Sequence, residues 1–303
     1  MLRREIGLGL PVVASLLTLA VATQALALPV GTEEELRQKA AESRDVAPTW
    51  EELDAAAVNF TAIVALSNCS GSLVRFKSSR TSDYAMVLTN GHCTGSFIPA
   101  GDARVNVAST RTFDLLSSDA SSTLAVLRAS KLIYGTMTGT DMALYLTTST
   151  YAQISSRYHV SALVISDTHP VAGTSIRVVS GFWEKIYTCS ISKFVPLLRE
   201  GSWSWNDSIR YTEPGCEVIG GTSGSPIINA GSYEVIGINN TTNEKGERCT
   251  LDNPCEVDTA GTVTVEKGAS YGQQLYQIYS CVTAAGAFDL NMPGCKLQKP
   301  AGH

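Results

Sequence analysis

The sequence predicts an all-β fold, a barrel or a sandwich of short strands, running from about Val58 onward. Two observations carry this. Apolar, β-branched runs at 61–66, 72–76, 85–88, 175–179 and 235–238 alternate with clusters of Gly, Ser, Thr and Asn. Charged residues are sparse in the same region and long amphipathic helical patterns are missing. One late segment departs from that texture. Residues 271–282 place Leu275, Ile278, Tyr279 and Val282 at helical spacing, which predicts a short C-terminal helix.

Taken in order, residues 1–27 read as a leader outside this fold. Arg3 and Arg4 precede an apolar run, 8–21, too short to span a bilayer, and Ala25-Leu26-Ala27 is a small-x-small cleavage signal. A secreted, extracellular protein is expected, with no membrane attachment in its mature form. Residues 28–57 are rich in Ala and Glu with Arg37, Lys39 and Arg44 interspersed, the pattern of one or two polar helices. They form either a pro-segment or a helical N-terminal extension. Residues 58–303 are left as the functional domain.

A formal net charge of −5 gives no basic surface for nucleic acid. Eight cysteines in an exported chain read as a disulfide framework. No pair has the C-x₂-C spacing of zinc ligands and none of the four histidines stands in an HExxH arrangement, so no metal site is expected.

Two segments carry chemistry. In Gly220-Gly221-Thr222-Ser223-Gly224-Ser225-Pro226, a serine flanked by glycines precedes an apolar run. Such a turn leaves a hydroxyl exposed and aims the Gly221 and Ser223 N–H groups at one point. The plainer reading is a Gly/Ser turn before a buried strand. Upstream, the apolar run ending in Thr89-Asn90-Gly91-His92-Cys93 delivers a histidine beside a cysteine. A lone histidine after a strand is commonly structural. A Cys69–Cys93 bridge, however, would staple the residue next to His92 to the neighbouring strand, a closure worth about 3.5 kcal/mol by loop entropy.

Cys69-Ser70-Gly71-Ser72-Leu73-Val74, Leu88-Thr89-Asn90-Gly91-His92-Cys93 and Gly221-Thr222-Ser223-Gly224-Ser225-Pro226 resemble, in order, three signatures of the chymotrypsin/trypsin-like serine peptidases. The serine loop is closest in style to the bacterial secreted branch, which includes the V8-type enzymes. The resemblance spans roughly residues 69–238 and implies two six-stranded antiparallel barrels and a serine endopeptidase acting on protein or peptide substrates, with no cofactor and as a monomer. It also implies a catalytic triad of His92, Asp141 and Ser223 with an oxyanion hole at Gly221 and Ser223. Asp141 is chosen because Asp141-Met142-Ala143-Leu144 is similar to the family's acid-led apolar strand. Asp114 is the rival carboxylate. A binding protein on a catalytically dead version of the fold, or an esterase using the same triad, are the alternative functions.

Thr222 stands where animal relatives carry an aspartate that pairs with a newly cut N-terminal amine, so their mode of activation is not expected. Cys249–Cys255 and Cys281–Cys295 pair by proximity, leaving Cys189–Cys216, although six cysteines formally allow 15 connectivities. By family spacing, Glu217 falls at the base of the substrate pocket, with Asn239 and Asn240 on its wall. That arrangement favours basic or small polar substrate residues.

Overall fold

The computed structural model describes residues 59–302. The leader at 1–27 and the whole of the polar segment at 28–57 lie outside the described residues. Among those described, no helix is long and apolar enough to cross a membrane.

The first half of the fold is built from β1 (Ile63–Ala65), β2 (Ser70–Arg75), β3 (Tyr84–Thr89), β4 (Ala103–Ala108), β5 (Thr112–Leu116), β6 (Thr123–Thr136) and β7 (Met142–Thr150). Their pairing order, β1-β5-β6-β7-β3-β2, returns to β1 through a β1–β2 ladder and closes a six-stranded antiparallel barrel. An α-helix, α1 (Tyr151–Tyr158), follows, opened by a capping box between Thr150 and Gln153. The short β8 (Leu163–Val164) then runs parallel to β2.

The second half comprises β9 (Ser175–Ser180), β10 (Lys185–Glu200), β11 (Trp203–Tyr211), β12 (Pro226–Asn229), β13 (Val235–Thr242), β14 (Cys255–Val257), β15 (Val263–Thr264) and β16 (Ser270–Gln274). Here the order β11-β16-β13-β12-β9-β10 closes through the β10–β11 ladder, giving a second six-stranded barrel. Closure leaves neither sheet with a long open edge.

Alternation decides the layers. Leu73, Val87, Ala143 and Tyr145 point into the first barrel, and Ile176, Val178, Tyr187 and Ile227 into the second. Their immediate neighbours Val74, Leu88, Leu144, Val179 and Ile228 face the other way and join one buried cluster that draws on both barrels. This shared layer fixes one barrel against the other. Along β10 the alternation slips at a bulge between Ile191 and Lys193, after which Val195 and Leu198 carry the buried face.

The C-terminal helix is shorter and tighter than the sequence predicts. Residues 270–274 are strand β16, which completes the second barrel, and only Tyr276–Cys281 coil, as a 3₁₀-helix. The apolar stripe is nevertheless used: Leu275, Ile278 and Val282 are buried. Ladder bonds from β16 to β13 and β11 claim the residues that a longer helix would need. All four disulfides form as expected: Cys69–Cys93, Cys189–Cys216, Cys249–Cys255 and Cys281–Cys295.

Candidate active site

His92 opens a 3₁₀ turn directly after β3, and Asp141 stands directly before β7, the strand paired with β3. The ladder therefore brings the two side chains together. His92 Nδ1 lies 2.7 Å from Asp141 Oδ2, and the His92 backbone N–H donates to Oδ1 at 3.1 Å. Asn90 Nδ2 donates to the Asp141 carbonyl at 2.8 Å. Asp141 is fully buried, whereas the His92 side chain keeps 22% of its surface open. Gly91 has to be glycine, because a Cβ would collide with the Thr136 carbonyl. Asp114, the rival acid, sits exposed on β5 and lines a different cavity, away from His92.

Ser223 comes from the second barrel, on the loop before β12, and shares one cleft with His92 and Asp141. Gly221 at φ +90° and Gly224 at φ +82° adopt the left-handed backbone this turn requires. Ser225 is fully buried, which removes it as a rival nucleophile. The loop is sewn to the first barrel: Ser70 N–H donates to Ser223 O at 2.8 Å, and Thr89 Oγ1 donates to Ser70 O at 2.8 Å. A Cβ on Gly224 would strike both Ser70 O and Thr89 Oγ1. Among the described residues, neither the Gly221 nor the Ser223 N–H finds a protein acceptor. Ser223 Oγ donates to the Asn240 carbonyl at 3.3 Å.

Burial works against a charged imidazole at His92, but the Asp141 carboxylate outweighs it. Glu200 and Asp252 add to its effect, so the His92 pKa lies above its ordinary value. Glu200 was not visible as a site residue in the sequence. It stands at the tip of the β10–β11 hairpin, 5% exposed, on the wall of the cleft. Its Oε2 accepts from Thr241 Oγ1 at 2.6 Å and its Oε1 from Asp252 N–H at 2.9 Å. Burial raises its pKa, and those hydrogen bonds oppose the rise. Glu244 and Asp252 line the same cleft, and among the described residues no Lys or Arg does. Phe97, Trp203 and Trp205 form its aromatic side, with Trp203 Nε1 donating to Ile98 O and Trp205 Nε1 to Met137 O, both at 2.9 Å.

Asn239 and Asn240 lie on the cleft wall, and the Asn240 amide nitrogen is buried with no partner among the described residues. Glu217 does not belong there. Its neighbours Cys216 and Val218 are buried in the second barrel, Cys216 through its bridge to Cys189 on β10. Alternation then turns Glu217 outward into solvent.

A family model described as a trypsin-like peptidase domain matches residues 69–238, more than half of the chain, and the chain belongs to that family. Similar solved structures include the MamO protease domain from Magnetospirillum magneticum, at 14% identity over 75% of this chain and 98% of that one, with a TM-score of 0.46. The Rv3671c protease from M. tuberculosis in its active form is 12% identical over 80% of this chain and 88% of that one, with a TM-score of 0.45. A Glu endopeptidase is 14% identical over 71% and 85%, with a TM-score of 0.40. No curated protein matches the sequence.

Proposed function

We propose that this chain is a secreted serine endopeptidase that hydrolyses peptide bonds through Ser223, His92 and Asp141. The observation that carries the reading is the 2.7 Å contact between His92 Nδ1 and Asp141 Oδ2, set beside Ser223 in one cleft. Asp141 holds the imidazole with Nδ1 protonated, leaving Nε2 as the base. Ser223 Oγ turns from the Asn240 carbonyl and attacks the substrate carbonyl carbon as His92 Nε2 takes its proton. The new alkoxide accepts hydrogen bonds from the Gly221 and Ser223 N–H groups. His92 then protonates the leaving amine, the C–N bond breaks, and an acyl ester of Ser223 remains. Water repeats the sequence and releases the acid. These steps draw on no cofactor.

Four disulfides suit an oxidising, extracellular setting. In this reading residues 1–27 direct export, 28–57 are a pro-segment or extension, and 58–303 act as a monomeric peptidase domain. A fluorophosphonate probe tests the activity: it should label Ser223 and no other residue. A folded chain that resists the probe would instead be a binding protein on this scaffold.

The acids of the cleft bear on substrate choice. A buried carboxylate without a cationic neighbour is costly, and a Lys or Arg side chain of the substrate would supply that neighbour. Glu200→Gln should lower the preference for Arg- or Lys-containing peptides over Phe-containing ones by on the order of 10- to 100-fold. The same substitution bears on pH. A negative neighbour stabilises the imidazolium and raises the His92 pKa, so removing it should extend activity to lower pH. An unchanged selectivity ratio and an unchanged acid limb would reduce Glu200 to a structural brace.

A further inference from the structure

The Gly220–Gly221 peptide presents a problem of orientation. A trans peptide turns as one plate, with its C=O and N–H on opposite edges. Rotated one way, it aims the Gly221 N–H into the cleft. Rotated the other, it aims the Gly220 carbonyl there, replacing a donor with an acceptor. Two glycines give the chain little preference of its own between these states. Nothing lies within 4 Å of where a Gly220 Cβ would be, so packing at Gly220 itself does not decide the matter.

We propose that Trp183 decides it, as a positioning residue for the oxyanion-binding N–H of Gly221. This inference rests on the peptidase reading above. Trp183 sits in the tight turn 181–184 between β9 and β10. Its indole Nε1–H donates to Gly220 O at 2.7 Å; in this proposal that bond holds the carbonyl away from the cleft and leaves the Gly221 N–H free to face it. The main chain of the same residue acts on the next peptide through a relay of hydroxyls. Trp183 N–H donates to Ser180 Oγ at 3.2 Å, Ser180 Oγ lies 3.0 Å from Ser70 Oγ, and Ser70 Oγ donates to Gly221 O at 3.2 Å. Phe182 N–H also donates to Ser70 Oγ, at 3.1 Å. Two successive carbonyls of the nucleophile loop are thus held from one turn. The Phe182 ring meets the Trp183 ring edge to face at 5.0 Å, and both crowd the space a Gly221 side chain would need. An indole left 47% exposed beside the nucleophile loop thereby has a use that burial does not explain.

Trp183→Phe tests this, since it keeps the ring contact with Phe182 and removes only the indole N–H donor. The loss of one such bond should reduce kcat by about tenfold. KM and the affinity of a cleaved, non-covalent product peptide should not change. Affinity for a peptide aldehyde, which forms a tetrahedral adduct with Ser223, should fall by the same factor as kcat. An unchanged kcat, or equal losses in kcat and in product affinity, would mean that Trp183 only packs beside the nucleophile loop. The hydrogen bond can also be read without turnover. The Trp183 indole proton, assigned in NMR spectra by its disappearance in W183F, should exchange with solvent slowly despite the ring's exposure. A fast-exchanging proton would overturn the clamp whether or not the chain hydrolyses anything. Slow exchange in a wild-type chain that cleaves no peptide and accepts no fluorophosphonate would overturn the peptidase reading, and the proposed role with it.

Discussion

Ser223→Ala should lower peptide turnover by about 10⁶ while leaving the thermal transition almost unmoved. Among the described residues the hydroxyl makes one hydrogen bond, at 3.3 Å to the Asn240 carbonyl, and the side chain is only partly buried, so the fold loses little with it. The chemistry loses its attacking atom. Residual hydrolysis above the background reaction should persist, since the Gly221 and Ser223 N–H groups and the cleft are unaltered. Ser225→Ala is the control and should leave fluorophosphonate labelling in place. Near wild-type turnover by the Ser223 variant would remove this residue from the mechanism.

Asp141→Asn should cost on the order of 10⁴ in kcat near neutral pH. The geometry explains why an isosteric change has so large an effect. Asp141 Oδ1 accepts the His92 backbone N–H, so an asparagine must place its carbonyl oxygen there. Its NH₂ group then faces Nδ1, which is forced to accept a hydrogen bond, and the ring proton moves to Nε2. An Nε2 that already carries a proton cannot take another from Ser223. Asp114→Asn, altering an exposed side chain on β5, should change kcat less than twofold, within the range typical of surface substitutions. A reversal of this ranking in steady-state kinetics would refute the assignment of Asp141.

The parts of the site that were legible in the sequence are those set by local chain geometry. His92 and Ser223 each sit in a glycine-marked turn at a strand end, and Asp141 leads an apolar strand, so each is visible within a few residues. Glu200 offered no such signal. It reaches the cleft because the long β10–β11 hairpin carries it there and the loop ending in the Cys249–Cys255 bridge folds over it. That arrangement depends on contacts between residues some 40 to 50 positions apart, as the Thr241 and Asp252 bonds to Glu200 record. Trp183 was equally silent, because an exposed tryptophan in a turn carries no pattern. Glu217 failed for a smaller reason, as counting back from Ser223 takes no account of which way a residue between two buried neighbours must face. In the C-terminal stretch, the same apolar spacing satisfies a strand followed by one 3₁₀ coil as readily as a helix. The pairing partners β11 and β13 decide between them.

The site is divided between two bodies: the first barrel carries the imidazole and its carboxylate, the second the hydroxyl and the two N–H donors. Each barrel is closed on itself and has its own interior, and a shared buried layer joins the two. Under the proposed mechanism, catalysis works as a gauge of alignment. A slide of a fraction of an ångström along the join, too small to disturb either interior, would separate base from nucleophile. In a graded urea series, activity should therefore disappear at concentrations where far-ultraviolet circular dichroism still reports intact barrels. The stitches from Ser70 and Thr89 to the serine loop, and the bare α-carbon of Gly224 that lets them close, set the tolerance of that alignment.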